Sequence, residues 1–561
     1  MQAKRLSHAR PFPARLARLG LSLILLTSLL GAAHSPAHAA TITVNTLADE
    51  SDGSCSDGDC SLRDAIAVAA TGDTINFSVT GTITLTLGRI MITGKNLTIN
   101  GPGASNLTIS GNNNSVLNLG FQLTTTVSGL TITKGGDSSN EYGIYDNGGT
   151  LTLTDCVFSG NRTGVSGGGT LHVTRCAFTN NLYGGIFFSG TASVADSFFS
   201  SNGSSGIYIG SMSSTVLNVT NSTFSHNSGS TGGGIYNHHG TLNVTGSTFS
   251  GNNAPGGGAI YNGGTMTVTS CAFSNNTAVA GSSIYSASSA VINNSTFSGN
   301  TASDRGAINN VGTLTVTGSA FSGNSAPWGN IHNDGTATVI SSTFIGNSAT
   351  GGGGILNDSG TLTVIDSTFS GNVGPAAESY GGGIDNTSTA TVINSTFTGN
   401  SAHAGGGIGN WGTLTVLNST LSGNDAAEGG GIYISASRGT ATLTNTIVAN
   451  SPTGGNCHGA ATTASANNLT TDVTCTIGFI QVTPAQLALD ALTGAPAYFP
   501  LKRGSAAIDA GTNTSCPAAD QRGVARPQDG NGDSVAVCDI GSYEYKPFVP
   551  TAFLYLPLIR R

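Results

Sequence analysis

The chain has 561 residues, of which 9% are charged and 82 are glycine, and its formal charge is −8. No lysine occurs between residues 135 and 501, so the basic stripe that a phosphate backbone requires is missing and nucleic acid is excluded as a partner. Nine cysteines in a chain of this kind point to disulfides rather than to a zinc site, because no metal-type spacing is present.

Residues 1–39 read as a secretory signal peptide. Lys4, Arg5, Arg10, Arg15 and Arg18 precede an apolar stretch from Leu19 to Leu30, and Ala37-His38-Ala39 supplies the small-residue cleavage site. The reading places the mature chain outside the cytoplasm, more acidic than the whole, with no membrane span.

Residues 40–73 read as an N-terminal cap. Ser61-Leu62-Arg63-Asp64 has the form of a helix-capping box, Ala65, Ile66, Val68 and Ala69 continue it, and Gly72 stops it. A short amphipathic helix is predicted, with the Cys55–Cys60 loop beside it, to cover an end that would otherwise template aggregation.

Residues 74–455 carry the dominant signal. Thirteen times a residue such as Phe158 is followed three positions later by asparagine, at intervals of 20 to 28 residues: Phe158/Asn161 begins the series and Leu421/Asn424 and Ile447/Asn450 end it. A fixed period of this length marks a solenoid. Each repeat holds a Thr-Leu-Thr-Val strand, a strand bearing the Phe, and a third strand centred on Ile after a glycine cluster, as at Ile235, Ile260, Ile355, Ile384, Ile408 and Ile432. Three strands per coil without helical periodicity predict an all-β, right-handed parallel β-helix of about 15 coils. Thirteen coils at about 4.8 Å each would span roughly 60 Å. The runs Ile83–Leu87, Leu97–Ile99, Leu107–Ile109, Val116–Leu119 and Leu130–Ile132 read as earlier, less regular coils.

Stacking turns equivalent residues into columns. Phe and Ile should fill two internal columns, and Asn237, Asn262, Asn310, Asn333, Asn357, Asn386 and Asn410, two beyond the core Ile, a polar ladder that satisfies its own amides. The residue just after the core Ile points outward. It is Tyr145, Phe187, Tyr208, Tyr236, Tyr261, Tyr285 or Tyr433, interrupted by His332, Leu356, Asp385 and Gly409. Tyr208, Tyr236, Tyr261 and Tyr285 are therefore candidates for binding glycans or a protein partner, against the alternative of strand propensity alone.

The best catalytic constellation is His332, Asp334, Asp358, Glu378 and Asp385, spread over three neighbouring coils. Asp334 and Asp358 sit three residues after Ile331 and Ile355, which sets them one coil apart, near the carboxyl separation of retaining glycosidases. Yet Asn-Asp-Gly and Asn-Asp-Ser-Gly are ordinary turn sequences. No arginine or lysine falls in these coils, Arg305 standing one coil earlier. The expectation is that these aspartates are structural and that the chain is not an enzyme.

Residues 456–545 read as a separate C-terminal module. Asp529, Asn531 and Asp533 have the alternation of a calcium loop, but Ser534 and Ile540 stand where a hand-type loop has glycine and glutamate. With Asp539 they are weak calcium candidates, the one cofactor the sequence suggests. The disulfides favoured are Cys55 with Cys60, Cys457 with Cys475, and Cys516 with Cys538. Cys156, Cys176 and Cys271 each lie two residues before a repeat Phe, and Cys156 and Cys176, on adjacent coils, either bridge or stack as buried thiols. Residues 546–561 form an apolar tail, interrupted by prolines and too short to span a bilayer as a helix, which reads as a sorting signal or a final edge strand.

Three segments resemble known modules. Cys60-Ser61-Leu62-Arg63-Asp64-Ala65-Ile66 is similar to the CSLREAI domain, with Asp64 in place of the usual Glu. The Phe-x-x-Asn and Gly-Gly-x-Ile repeats resemble those of polymorphic outer membrane proteins, which continue into a transporter barrel where this sequence ends in its apolar tail. Ser505–Gly511, Asp520–Gly523 and Cys538–Glu544 resemble the choice-of-anchor Q module. The resemblance implies export and surface attachment and brings no catalytic residues. Together these readings predict a secreted, cell-surface structural or adhesive β-helix that presents a repetitive face to extracellular polysaccharide or neighbouring cells. The alternative is a polysaccharide lyase or glycoside hydrolase using acidic residues on adjacent coils.

Overall fold

The computed structural model describes residues 39–547 except 137–140, 211–213, 376, 460 and 463. The segment read as a signal peptide, apart from its last residue, and nearly all of the apolar tail lie outside these residues. The chain winds into a right-handed parallel β-helix whose strands pair with the equivalent strand one coil on. The Phe-bearing strands form a ladder of eighteen, running from Gly81–Thr84 to Phe479–Gln481 in chain order. The Thr-Leu-Thr-Val and Ile strands form a second, continuous sheet, joined in single long strands at Thr163–Thr174 and Gly184–Ala195. Both sheets run past residue 455, the Phe-bearing ladder through Asn468–Thr470 and Phe479–Gln481 and the other sheet through Cys457–His458.

The columns explain why so repetitive a sequence is stable. Eleven phenylalanines from Phe158 to Phe397 are fully buried, and neighbouring rings stack at 4.6–5.0 Å with planes within 7° of parallel. Each Phe-x-x-Asn asparagine is also buried and lies in a ladder of its own. Asn276 Nδ2 donates to Asn300 Oδ1 at 3.0 Å and to the Phe249 carbonyl at 3.0 Å, while its Oδ1 accepts from Asn252 Nδ2 and the Asn252 amide, both at 3.0 Å. Every polar atom of the side chain is thus paired, as burial demands. The second amide column also forms: Asn310 Nδ2 to Asn333 Oδ1 and Asn333 Nδ2 to Asn357 Oδ1 are both 2.8 Å. The residue before each Phe-column asparagine turns the corner with positive φ, as at Gly160 (63°), Asn180 (54°) and Gly251 (62°), which explains why glycine or a short polar residue recurs there.

The final repeat departs from the expected phase. Val448 pairs with Leu421, so Val448 and not Ile447 continues the Phe column, and Asn450 is exposed. Ile447 instead points out into a second core with Leu487, Ala507 and Ile540. The C-terminal module lies along the flank of the Phe-bearing face. Thr368 and Thr396, whose counterparts Thr248 and Thr296 are exposed, are buried beneath it. Thr396 Oγ1 donates to Gln521 Oε1 at 2.6 Å, and the Ser542 amide to Thr420 Oγ1 at 3.0 Å.

At the other end the helix Leu62–Val68 forms as read. The Ser61 hydroxyl accepts from the Asp64 amide, and Lys95 Nζ donates to the carbonyls of Ile66, Ala67 and Ala69 at 2.7–3.0 Å. The disulfides are Cys55–Cys60, Cys457–Cys475 and Cys516–Cys538. Cys156, Cys176 and Cys271 are buried free thiols, the stacking alternative for the first two. No helix among the described residues is long and apolar enough to cross a membrane.

Candidate active site

Register builds a cleft from three parallel rows, each contributing one residue per coil. The floor is the row one beyond the core Ile: Asn309, His332, Leu356, Asp385 and Gly409 are successive partners. One wall is the row Arg305, Trp328, Gly351 and Tyr380, again successive partners. The row on the other side is Asp334, Asp358, Thr387 and Trp411, each at the position that follows a ladder asparagine, and its last three residues form the other wall. The cleft measures about 480 Å³ and is also lined by Asp304 and Arg438. Glycine keeps it open: a Cβ at Gly351 would stand 3.3 Å from Asp385 Oδ2, and one at Gly409 would lie 2.8 Å from the Trp411 ring. Tyr380 and Trp411, from opposite walls, meet edge to face at 4.5 Å.

His332, Asp334 and Asp358, brought together as the coil spacing implied, have ligand-type atoms within 4.8 Å of one another. His332 is buried, its Nδ1 3.1 Å from Asn309 Oδ1 and its Nε2 4.0 Å from Asp358 Oδ2. Burial and, after it, the Arg305 charge push its pKa down against the pull of Asp334, so the imidazole is neutral. Asp385 is buried two coils beyond His332 with one carboxyl oxygen free of any hydrogen bond to a described residue. Burial, reinforced by the Asp358 charge, raises its pKa to about 7. A carboxyl group is thereby kept protonated into the neutral range, beside a half-exposed carboxylate.

Three sequence readings change here. Arg305 reaches forward to the next coil, its Nη1 2.8 Å from Asp334 Oδ2, and Arg438 also lines the cleft, so guanidinium groups do serve these coils. The interruption of the aromatic row by His332, Leu356 and Asp385 is the cleft floor itself. Glu378 is exposed and does not line the cleft. The walls carry the part that sequence reasoning missed: Trp328 and Trp411 are the chain's only two tryptophans, and both stand here.

His332, Asp334 and Asp358 are also the residues that would hold a divalent cation, with the Arg305 ion pair competing for Asp334. Elsewhere, Asp529 accepts from the Gly532 and Ser534 amides at 2.7 and 2.9 Å, and Asp533 from the Val535 amide at 2.8 Å. Asn531 Oδ1 likewise accepts from the Asp533 amide at 2.9 Å. Asp539 faces inward near the buried Arg526–Glu544 pair, its pKa raised to about 7 by burial and Glu544. The row Phe187, Tyr208, Tyr236, Tyr261 and Tyr285 lies in register along the helix, Phe187 exposed and the tyrosines half-buried.

The sequence matches the family model of the right-handed beta helix region over residues 84–249 and 184–344. No curated protein matches the chain. Similar solved structures include ORF18 of Geobacillus virus E2, with 14% identity and a TM-score of 0.30 over 58% of this chain and 62% of that one. Another is the Agl-KA catalytic domain, with 16% identity and a TM-score of 0.27 over 73% and 62%. A third is the catalytic unit of the GH87 alpha-1,3-glucanase of Streptomyces thermodiastaticus, with 15% identity and a TM-score of 0.27 over 71% and 65%. This chain thus spans less than two thirds of each. The expectation that the chain is not an enzyme is corrected. The aspartates read as turn residues, Asp334 and Asp358, converge with His332, their ligand-type atoms within 4.8 Å of one another, and His332 and Asp358 line the cleft.

Proposed function

We propose that the protein is an extracellular polysaccharide-cleaving enzyme of the hydrolase type, with its reaction centre at the cleft floor. The observation that carries this reading is Asp385, a buried carboxyl group protonated up to about pH 7, beside the Asp358 carboxylate and between tryptophan-bearing walls. Aromatic rings supply stacking surface for sugars, and a raised carboxyl beside a second carboxylate is the division of labour that glycoside hydrolysis uses. Asp385 delivers its proton to the glycosidic oxygen as the bond to the anomeric carbon breaks. Asp358 takes the proton of the water that attacks that carbon. Arg305 holds Asp334 in place, and neutral His332 lies on the floor against Asp334 and Asp358. Three disulfides suit the oxidising compartment that such a substrate implies.

Incubation of the purified chain with a panel of polysaccharides tests the reading. New reducing ends without ultraviolet-absorbing unsaturated ends, abolished in Asp385→Asn, are expected. Unsaturated ends would make the reaction an elimination, and absence of any cleavage would leave only a binding surface.

A further inference from the structure

The cleft floor and the aromatic row are one row of the same sheet. From Phe187 the successive partners are Tyr208, Tyr236, Tyr261, Tyr285, Asn309 and His332, so the aromatic residues lead straight into the reaction centre. The rings do not form a uniform comb. Phe187 and Tyr208 are stacked 5° from parallel at 4.4 Å, as are Tyr261 and Tyr285 at 5.1 Å and 11°. Tyr236 is turned 81° and 84° from its two neighbours. A second hollow of about 350 Å³ lies at the far end of this row, lined by Tyr142, Arg162, Tyr183, Phe187, Tyr208 and Tyr236 among others.

Arg162 gives that hollow a charge. Four arginines, at 162, 175, 305 and 438, are the only basic residues other than histidine between positions 135 and 455. Arg305 and Arg438 line the cleft, and Arg175 is paired with Asp155 at 2.8 Å. The Arg162 guanidinium lies 3.9 Å over the Tyr183 ring and forms no ion pair with a carboxylate of the described residues. A guanidinium that rests over an aromatic face without a carboxylate partner keeps N–H donors for a planar anion.

We infer that this hollow is a remote, non-catalytic subsite for an acidic polysaccharide, and that the chain bound there runs along the helix axis over the tyrosines to the cleft. The inference deepens the proposed hydrolase and rests on it for the position of the cut. Tyr208 stands five coil steps from His332, about 24 Å at the usual strand spacing, so only a long substrate occupies both ends. Arg162 binds the carboxylate or sulfate of a sugar, and Tyr208 and Tyr236 provide its ring contacts.

The test compares Asp385→Asn with the same chain also carrying Arg162→Gln and Tyr208→Ala. Binding is measured by affinity electrophoresis against polygalacturonate, alginate and a neutral glucan, and, in chains that retain Asp385, KM is measured on long and short substrate. The expected result is retardation by at least one polyuronate, weakened roughly tenfold by the two changes, with KM raised on long chains and unchanged on short ones. Arg162→Lys should restore part of the loss, which a merely structural role would not. If no polyuronate retards the protein, or if retardation and long-chain KM survive both changes, the subsite is overturned. Retardation that depends on Arg162 and Tyr208 without any cleavage would keep the subsite and reject the hydrolase.

Discussion

Arg305 and Asp334 belong to adjacent coils and are joined by a hydrogen-bonded ion pair of 2.8 Å, made where a cation would otherwise complete a site with His332 and Asp358. Arg305→Ala should therefore tighten a divalent cation at these three residues. The check is the rise in Tm on adding manganese or zinc: a larger rise than in the unaltered protein is expected, and an equal rise would show that the guanidinium does not compete.

Activity should fall as pH rises through about 7, because Asp385 acts in its protonated form and burial holds its pKa there. The rate profile on a cleaved polysaccharide reads this limb directly. A rate still climbing above pH 8 would remove Asp385 from the role of acid.

Asp385→Asn should abolish cleavage, by about a hundredfold or more, while stabilising the fold at neutral pH. The sign follows from linkage. Below pH 4 the carboxyl is protonated folded and unfolded, and Asp385 carries no penalty. Between about 4 and 7 the unfolded chain ionises first, so stability falls as pH rises, and above 7 the full cost remains, at most about 4 kcal/mol. Thermal unfolding at pH 8 and pH 4 checks it: the variant should melt higher at pH 8, with the difference vanishing at pH 4.

Trp411→Ala removes a ring that meets Tyr380 and overhangs Gly409. The loss of stacking surface should raise KM about fivefold, equivalent to about 1 kcal/mol, with kcat little changed. A fall in kcat alone would place the ring in positioning the reacting bond instead.

Asn276→Ala takes out a side chain that makes four hydrogen bonds and leaves buried partners unpaired on both neighbouring coils. A loss of about 3 kcal/mol or more is expected in denaturant unfolding. An effect below about 1 kcal/mol would mean that the ladder contributes little to holding the coils together.

The architecture was legible because its cause is periodic. A buried Phe and a buried Asn every coil leave a repeat that survives variation elsewhere, and Ser61 with Asp64 marks the capping helix by local chemistry alone. The cleft was half legible: coil arithmetic aligned Asp334 with Asp358, but a carboxylate in a turn sequence looks the same whether it serves the turn or a substrate. What sets Asp385 apart is burial by walls that register draws from other coils, and Arg305 enters from the coil before. The paired scarcity of Trp328 and Trp411 was the readable signal. The phase slip at Val448 was hidden because it depends on the module that covers Ile447.

Because each coil touches chiefly the one before and the one after, the stretch that holds Tyr261 and Tyr285, which line neither hollow, is open to growth by duplication. Copying or deleting one unit there would shift Arg162 relative to Asp385 by a single strand spacing, leaving both hollows internally intact. Descendants of such a gene would differ in the length of sugar chain they favour, in discrete increments, while keeping the same chemistry at the cut.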